Sequence, residues 1–154
     1  VQLIDFSGKI HKSWNGEFFS EANNSKIIHK INLSSLNVEP NYFNDKFLYA
    51  NASINEEIIA EKMKYLTAIK NLDIDTPKFS YEVKALNNYY EIRLFSENLV
   101  KNLFIDSNLE DYFSYNYFDL RPNEQKVIRI KRVKFHSINS FKESLNFLTL
   151  YDTY

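Results

Sequence analysis

The residues that could do acid–base chemistry include a pair of adjacent carboxylates, Glu56 and Glu57. Two carboxylates share acid–base work only when both side chains reach the same substrate bond. Neighbouring residues of a strand point to opposite faces, so a strand would hold these two carboxylates apart. The pair therefore predicts solvated charges at a sheet edge rather than a catalytic dyad.

Three histidines, His11, His29 and His136, are the candidate metal ligands. Their positions show none of the short spacings at which imidazoles share a metal ion. His29 falls on the apolar side of an alternating segment, which favours a structural role in a strand. The chain has no cysteine, so it offers neither thiolate ligands nor disulfides, which is compatible with the cytoplasm. These residues predict no metal site and no cofactor.

Basic residues cluster between positions 126 and 134. A strip of this kind can track phosphates, but alternate residues of one strand also form its solvated face. The formal net charge of the chain is −1, so the overall positive charge typical of nucleic-acid binding is missing. We therefore predict a solvated strand face and no nucleic-acid partner for Lys126, Arg129, Lys131, Arg132 and Lys134.

Aromatic residues offer a third kind of site near the start of the chain. Trp14, with Phe18 and Phe19 close by, could form a platform on which the apolar face of a sugar ring stacks. Large rings are more often mostly buried than exposed, so the same residues could equally form part of a core. The second interpretation is favoured, and the first stays open.

The composition is that of a globular protein of 154 residues, with 44% hydrophobic and 25% charged residues. Only two glycines are present, which disfavours glycine-rich phosphate loops. No apolar run is long enough for a transmembrane helix, and the first residues lack the pattern of a signal peptide. Glycosylation sequons at Asn23, Asn32 and Asn51 are interpreted as chance occurrences in a chain rich in Asn and Ser.

Turn dipeptides and alternating patterns predict short strands in the first half. Ser7-Gly8 separates a first hairpin formed by residues 1–6 and 9–14. Alternation predicts further strands, while residues 55–72 contain good helix formers at helical spacing. Residues 73–78 resemble a linker, and we place the domain boundary there. The further strands lie at residues 18–22, 26–33 and 47–54.

The second half shows the same strand-and-turn pattern. Residues 115–130 predict a hairpin that turns at Pro122-Asn123. Phe118 and Leu120 point to one face and Tyr115 and Tyr117 to the other, and Ile128 and Ile130 alternate with Arg129 and Lys131. The alternation slips after Ile130, which predicts a bulge or a strand end there. Many short strands joined by turns are typical of a β-sandwich. The other predicted strands are residues 79–86, 89–96, 100–106 and 145–151.

The segment FSYNYFDLRPNEQKVI, residues 113–128, resembles the C-terminal immunoglobulin-like domain of β-mannosidases of glycoside hydrolase family 2. That domain typically carries Phe-Ser-Asp-Asn-Phe-Phe-Asp-Leu-x-Pro-Gly-Glu before a Val-rich strand. Tyr115, Tyr117 and Asn123 stand where the family favours Asp, Phe and Gly, and Asn tolerates a left-handed turn position nearly as well as Gly. The matching residues are Phe113, Ser114, Asn116, Phe118, Asp119, Leu120, Pro122, Glu124 and Val127.

The resemblance extends over residues 96–107 and 148–154 and is strong from Lys78 onward. It is weaker before Lys78, where residues 3–10 are similar to a strand and turn of the preceding domain of that family. Residues 58–83 are similar to the last strand of that preceding domain, its tail and the entry to the next domain. The resemblance implies an all-β fold of two tandem immunoglobulin-like β-sandwiches, at residues 1–76 and 77–154, the first lacking its first strand or strands. It also implies a strand at residues 58–66, against the local helix propensity.

The resemblance implies a non-catalytic accessory region of a longer enzyme. Members of the family hydrolyse terminal β-mannosides with retention, using two glutamates on a (β/α)₈ barrel that needs about 250 residues. No residue of this chain matches a catalytic, cofactor-binding or metal-binding motif of that barrel. The implied partners are the barrel and other domains of the same polypeptide, and a homo-oligomer is compatible with them. The alternatives are a carbohydrate-binding module and a generic interaction sandwich.

Overall fold

The computed structural model describes residues 1–19, 26–109, 113–132 and 136–153. Its regular structure is mainly antiparallel strand, which confirms the predicted all-β class. The chain folds as two compact units, the first comprising Val1–Asp5 and Ile10–Asp73 and the second comprising Phe6–Lys9 and Ile74–Tyr154. In the part of the chain that is described, no helix is long and apolar enough to cross a membrane.

The first unit contains four strands: Gln2–Asp5 (β1), Ile10–Ser13 (β2), Lys46–Ile54 (β3) and Glu57–Tyr65 (β4). They form one antiparallel sheet in the order β2-β1-β3-β4. Ile4 pairs with Phe47 across β1 and β3, and both side chains are buried together with Tyr49. Short 3₁₀ helices lie outside the sheet, at Leu33–Leu36, Pro40–Phe43 and Ile69–Asn71.

Two tight turns set the register of this sheet. The predicted first hairpin is present, and Gly8 in its turn has a φ of 92°, which suits glycine. A second hairpin joins β3 to β4 through Asn55 and Glu56, whose φ angles are 49° and 69°. Positive φ at both central residues matches the twist of a two-residue hairpin.

The strand implied for residues 58–66 is present as β4, although its residues favour a helix locally. β4 pairs with β3 from Glu57 to Tyr65. At the far end, the rings of Phe47 and Tyr65 lie 6.4 Å apart, edge to face. Cross-strand pairing therefore outweighs a helix propensity that amounts to tenths of a kcal/mol per residue.

Two predicted strands of the first half are wrong where the structure describes them. Phe18 and Phe19 have no regular structure, and residues 20–25 of that prediction lie outside the described residues. Residues 26–32 also lack regular structure, and Ile27 is 73% exposed. Alternation predicts a strand only if a neighbouring strand accepts its backbone hydrogen bonds, and these described residues pair with none.

The second unit contains two three-stranded antiparallel sheets. The first has the order β5-β6-β9, formed by Phe79–Ala85 (β5), Tyr89–Ser96 (β6) and Gln125–Lys131 (β9). The second has the order β10-β7-β8, formed by Val100–Ser107 (β7), Phe118–Leu120 (β8) and Leu145–Leu148 (β10). A helix, α1 (Ile138–Ser144), precedes β10, and a 3₁₀ helix, Leu150–Thr153, follows it.

Both sheets contribute to one apolar core. The aromatic centre of this core is a stacked pair, with the rings of Tyr90 and Phe141 4.0 Å apart and 3° from parallel. The Tyr90 hydroxyl donates a hydrogen bond to the His136 carbonyl at 2.6 Å. Alternate positions of four strands surround this pair: Ile92, Leu94, Leu103, Ile105, Phe118, Leu120, Ile128 and Ile130.

The hairpin predicted for residues 115–130 is wrong in its pairing. β8 pairs with β7 and β9 pairs with β6, so the turn at Pro122-Asn123 joins two different sheets. The predicted alternation is nevertheless correct, because Phe118, Leu120 and the two isoleucines of β9 are buried, while Arg129 and Lys131 are exposed. Alternation indicates which side chains enter the core, but two strands from facing sheets bury the same pattern as a hairpin does.

The C-terminal segment differs from the predicted strand at residues 145–151. β10 ends at Leu148 because the chain then turns into the 3₁₀ helix, where the Asp152 carboxylate accepts hydrogen bonds from the Thr149 N–H and hydroxyl. Helix α1 was not predicted; Ser137 caps it by accepting a hydrogen bond from the Ser140 N–H at 3.1 Å. The slip after Ile130 corresponds to the end of β9 at Lys131, and residues 133–135 lie outside the described residues.

Candidate functional site

Asn116, in the segment that carries the family resemblance, completes the backbone pairing of β7. Its carboxamide oxygen accepts a hydrogen bond from the Ile105 N–H at 2.8 Å, and its amide donates to the Ile105 carbonyl at 2.7 Å. These two bonds take the place of a neighbouring strand, because β8 pairs with β7 only through Val100 and Leu103. The side chain therefore serves the sheet and leaves the backbone of Ile105 fully bonded.

Asp119 plays a similar part where the β7–β8 register shifts, between Val100 and Leu103. One of its carboxylate oxygens accepts hydrogen bonds from the backbone N–H of Asn102 and from the Lys101 ammonium, each at 2.9 Å. Asn102 has a φ of 52°, so its N–H turns away from the regular ladder and needs this side-chain acceptor. The carboxylate is thus engaged in holding a bulge.

Two further polar residues of the segment, Ser114 and Glu124, also bind backbone. The Ser114 hydroxyl accepts from the Arg129 N–H at 3.0 Å, while the Ser114 N–H donates to the Arg129 carbonyl at 2.9 Å. Glu124 accepts from the Arg121 N–H at 2.9 Å and closes the turn. Asn123 has a φ of 59°, the left-handed conformation expected where the family favours Gly. These side chains therefore bind the chain's own backbone.

A charged cluster lies on the outward side of β6 and β9 in the second unit. The Glu91 carboxylate is 2.8 Å from the Arg93 guanidinium and 3.5 Å from that of Arg129. The hydrogen bond from Arg93, together with the charges of both arginines, holds the pKa of Glu91 below its usual value, against the opposing effect of desolvation. The negative charge is paired, so this carboxylate is suited to stabilise the sheet rather than to accept a proton near neutral pH.

A polar depression of about 430 Å³ in the second unit is lined in part by Asp75 and Glu97. Both carboxylates are exposed to water. The Asn98 side chain beside them accepts from the Lys78 N–H at 2.8 Å and donates to the Thr76 carbonyl at 2.9 Å. Catalytic carboxylates acquire their separate roles by burial and shielding, which this open depression does not provide.

The predicted metal-ligand candidates have other surroundings. His11 forms a hydrogen bond with Asp5 at 2.8 Å, and its ring lies 6.3 Å from that of Tyr42. His29 is exposed in a segment without regular structure, so its predicted place on the apolar face of a strand is wrong. Across the described ranges, no three His, Asp or Glu side chains are grouped closely enough to hold a metal ion.

Glu56 and Glu57 are both exposed, as predicted. Glu56 lies in the hairpin turn and Glu57 is the first residue of β4, so only the second belongs to a strand. Both are solvated charges at the edge of the first sheet.

Three residues of the predicted basic face pack their charged groups over aromatic rings. The Lys126 ammonium lies 4.9 Å from the centre of the Tyr115 ring, and the Arg129 guanidinium lies 5.1 Å from that of Tyr89. The Arg132 guanidinium lies 4.7 Å from the Tyr90 ring. Lys131 is exposed, and Lys134 is outside the described residues.

Residues 74–153, more than half of the chain, match the Ig-fold domain family named Ig_mannosidase. The chain belongs to this family. Its fold is also similar to the crystal structure of a β-D-mannosidase from Dictyoglomus thermophilum, with a TM-score of 0.76 and 17% sequence identity. That match covers 96% of this chain and 18% of that chain, so the mannosidase Ig-fold chain described here spans less than a fifth of that protein. No curated protein matches the chain.

The aromatic residues at the start of this mannosidase Ig-fold chain do not form the favoured core. Trp14 is half-buried, with the Lys12 ammonium 5.5 Å from its ring, while Phe18 and Phe19 are 52% and 76% exposed. The Trp14 carbonyl accepts a hydrogen bond from the amino group of Val1 at 2.7 Å. The preference of large rings for burial is outweighed here because residues 14–19 belong to no strand or helix.

The sequons give no further site. Asn32 and Asn51 are exposed, and Asn23 lies outside the described residues. Their interpretation as chance occurrences stays a prediction.

Sequence analysis missed two features of the mannosidase Ig-fold domain. The Glu91–Arg93 pair could have been found, because opposite charges two residues apart on a predicted strand share one face. The stacking of Tyr117 on Phe104, with ring centres 4.5 Å apart, had no local signal, because Phe104 lies within β7 and Tyr117 lies in the later segment before β8.

Proposed function

We propose that this chain is a non-catalytic accessory region of a β-mannosidase-type glycoside hydrolase. In this proposal it packs beside a catalytic barrel of the same polypeptide and stabilises it, while the barrel hydrolyses terminal β-mannosides with retention. The proposed partners are that barrel and neighbouring domains, and homo-oligomer contacts are compatible with the same role.

One observation carries the proposal: three polar side chains that match the family segment are bonded to the chain's own backbone. Asn116 binds Ile105, Asp119 binds Asn102, and Ser114 binds Arg129. A catalytic group must instead present its polar atoms to substrate. Side chains that make such contacts stabilise a fold, so we assign these three to stability of the domain.

The size of the chain supports the same assignment. A (β/α)₈ barrel needs about 250 residues, more than this all-β chain contains. Retaining glycosidases also need two carboxyl groups about 5–5.5 Å apart on either side of one bond. The Glu91 carboxylate is paired with arginine, and Asp75 and Glu97 lie exposed, so none of the three is placed for this task.

The proposal is tested in the parent polypeptide that carries this chain. Replacing Asn116 by Ala should lower the midpoint of thermal unfolding, while kcat for an aryl β-mannoside stays near the parental value at temperatures where the protein is folded. A loss of kcat in fully folded protein, without loss of stability, would place Asn116 in the catalytic machinery and overturn the proposal.

A further inference from the structure

A shallow depression of about 450 Å³ lies on the outward side of the β5-β6-β9 sheet, at the end where β6 begins and β9 ends. Tyr89 and Lys131 pair in register across these two strands. Arg129 lies two residues back along β9, so it shares their face of the sheet. Six residues line this Arg129 depression, mainly with apolar surface: Asn88, Tyr89, Phe113, Ser114, Arg129 and Lys131.

The segment before β8 completes the depression on the other side of β9. Phe113 forms an antiparallel bridge with Ile130. The Ser114 N–H donates to the Arg129 carbonyl at 2.9 Å, and the Ser114 hydroxyl accepts from the Arg129 N–H at 3.0 Å. A hydroxyl that accepts one hydrogen bond still has its own hydrogen to donate. Because Ser114 is exposed, this O–H is available to a ligand in the depression.

The Arg129 guanidinium is held in place without being neutralised. It lies 5.1 Å from the centre of the Tyr89 ring, a contact that favours one position of the side chain. Its Nε is 3.5 Å from the Glu91 carboxylate, which is nearer to Arg93 at 2.8 Å. Strong charge-assisted bonds measure about 2.7–2.9 Å, so Arg93 takes the main share of the Glu91 charge. The Arg129 side chain is 61% exposed and keeps donors for a second anion.

Lys131 adds a second positive charge to the depression. The residue is exposed, and within the described ranges its ammonium forms no ion pair with a carboxylate. Positions two apart on a strand are separated by about 6.8 Å, so the long side chains of Arg129 and Lys131 can reach one carboxylate between them. Two cations beside an apolar lining favour a ligand that combines a negative charge with an apolar body.

We propose that the Arg129 depression binds a small carboxylate that carries a flat apolar ring. The carboxylate accepts hydrogen bonds from the Arg129 guanidinium, the Lys131 ammonium and the Ser114 hydroxyl, and the ring packs on the apolar lining. The next row of the sheet is charged, because Lys84 and Glu91 pair in register beside Arg129. The apolar area is therefore far smaller than the roughly 1,000 Å² that a specific protein interface buries, and a single-ring ligand fits better.

The test is an NMR titration of the full chain with benzoate, benzamide and acetate, followed by ¹H–¹⁵N shifts at neutral pH and low salt. With benzoate we expect saturable shifts of the Tyr89, Ser114 and Arg129 amides, and a dissociation constant on the order of 1–10 mM because exposed ion pairs are weak. Benzamide has the ring without the charge, and acetate has the charge without the ring. Each should bind at least about fivefold more weakly than benzoate, since each lacks one of the two contacts.

Arg129→Gln should weaken benzoate binding about tenfold, because it removes a paired donor, and Lys131→Gln about threefold, because it removes one exposed charge. Lys131 is exposed at the end of β9, so the second variant leaves the core intact should the first fail to fold. Lys84→Gln is the matched control. Lys84 is an exposed cation on the same face of the same sheet, but it lies on β5 and outside the depression, so binding should stay unchanged.

Three results would overturn the proposal: no saturable shifts at the depression with benzoate, binding of benzamide or acetate as tight as that of benzoate, or unchanged binding in both Arg129→Gln and Lys131→Gln. The titration is independent of the accessory role, which concerns stability of the parent enzyme.

Discussion

Asn116 and Ile105 are joined by two hydrogen bonds, from the Ile105 N–H to the carboxamide oxygen at 2.8 Å and from the carboxamide N–H to the Ile105 carbonyl at 2.7 Å. A single side chain thus does what a residue of an adjacent strand would do. The chain crosses between the two sheets of the second unit near this point, so the pairing of β7 would otherwise end beside a buried residue.

Replacing Asn116 by Ala should destabilise the second unit by about 2–4 kcal/mol, because two backbone groups of Ile105 lose their partners. Denaturant unfolding of the full chain measures the change. Asn146→Ala is the control, since Asn146 is exposed on β10, and it should change the unfolding free energy by about 0.5 kcal/mol or less. Equal effects of the two substitutions would contradict the assigned role of Asn116.

Asn116→Asp separates the two bonds. The carboxylate still accepts from the Ile105 N–H, but it offers no donor to the Ile105 carbonyl. Near neutral pH, the unfolding free energy of Asn116→Asp should therefore lie between those of the unsubstituted chain and Asn116→Ala.

The Glu91 cluster predicts a loss of stability in acid. Arg93 and Arg129 hold the pKa of Glu91 in the folded protein below its ordinary value of 4.5. A lowered folded-state pKa contributes stability above the unfolded-state pKa, and this contribution disappears as the pH falls through the folded-state pKa. The unfolding free energy of the unsubstituted chain should thus decrease below about pH 4.5.

Glu91→Gln should lower stability at neutral pH and make the acid decrease shallower. Unfolding curves between pH 2 and pH 7 measure both effects. Glu143→Gln is the comparison, because Glu143 is exposed on α1. If the unfolding free energy fell equally at low pH in Glu91→Gln and in the unsubstituted chain, the cluster would not supply this stability.

The β3–β4 turn predicts substitutions of opposite sign at neighbouring glutamates. Glu56 has a φ of 69°, so Glu56→Gly should stabilise the first unit by about 0.5–1 kcal/mol. Glu57 is the first residue of β4, so Glu57→Gly should destabilise the first unit, because glycine weakens a strand. Hydrogen exchange of β3 and β4 amides reports both changes. Destabilisation by both substitutions would argue against the left-handed turn.

Strand positions in the second unit could be predicted from the sequence because each has a clean period of two. Phe118, Leu120, Ile128 and Ile130 enter the core as the alternation indicates. Their partners could not be predicted, because the choice between a hairpin and a connection between sheets depends on contacts distant in sequence. Asn116 marks where the β7–β8 pairing stops, since its side chain occupies the edge of β7 that a longer β8 would need.

In the first unit, several segments could not be predicted correctly from local sequence patterns. The helix formers of β4 mislead a local analysis, and the family resemblance gives the correct strand because it reflects the pairing with β3. At residues 26–32 the alternation has no partner strand in the described part of the unit, so the same signal fails. Helix α1 is short, seven residues, and depends on the Ser137 cap and on burial of Phe141 rather than on helix periodicity.

The candidate functional residues also depend on contacts between segments distant in sequence. Residue types alone suggested Glu56-Glu57, the histidines and Trp14, yet the structure leaves the glutamates solvated and the Trp14 ring half-buried. The stacking of Tyr117 on Phe104 was missed because Phe104 comes from β7 and Tyr117 from the segment before β8. Only the folded sheet brings them together.

The central claim is that this chain supports an active centre located elsewhere in its parent polypeptide. Its most direct test is hydrolysis of p-nitrophenyl β-D-mannopyranoside by the purified chain and by the parent polypeptide at equal molar concentration. The account predicts release of p-nitrophenol by the parent and none above the buffer rate by the chain alone. Turnover by the chain that disappears in Asp75→Asn or Glu97→Gln would contradict it.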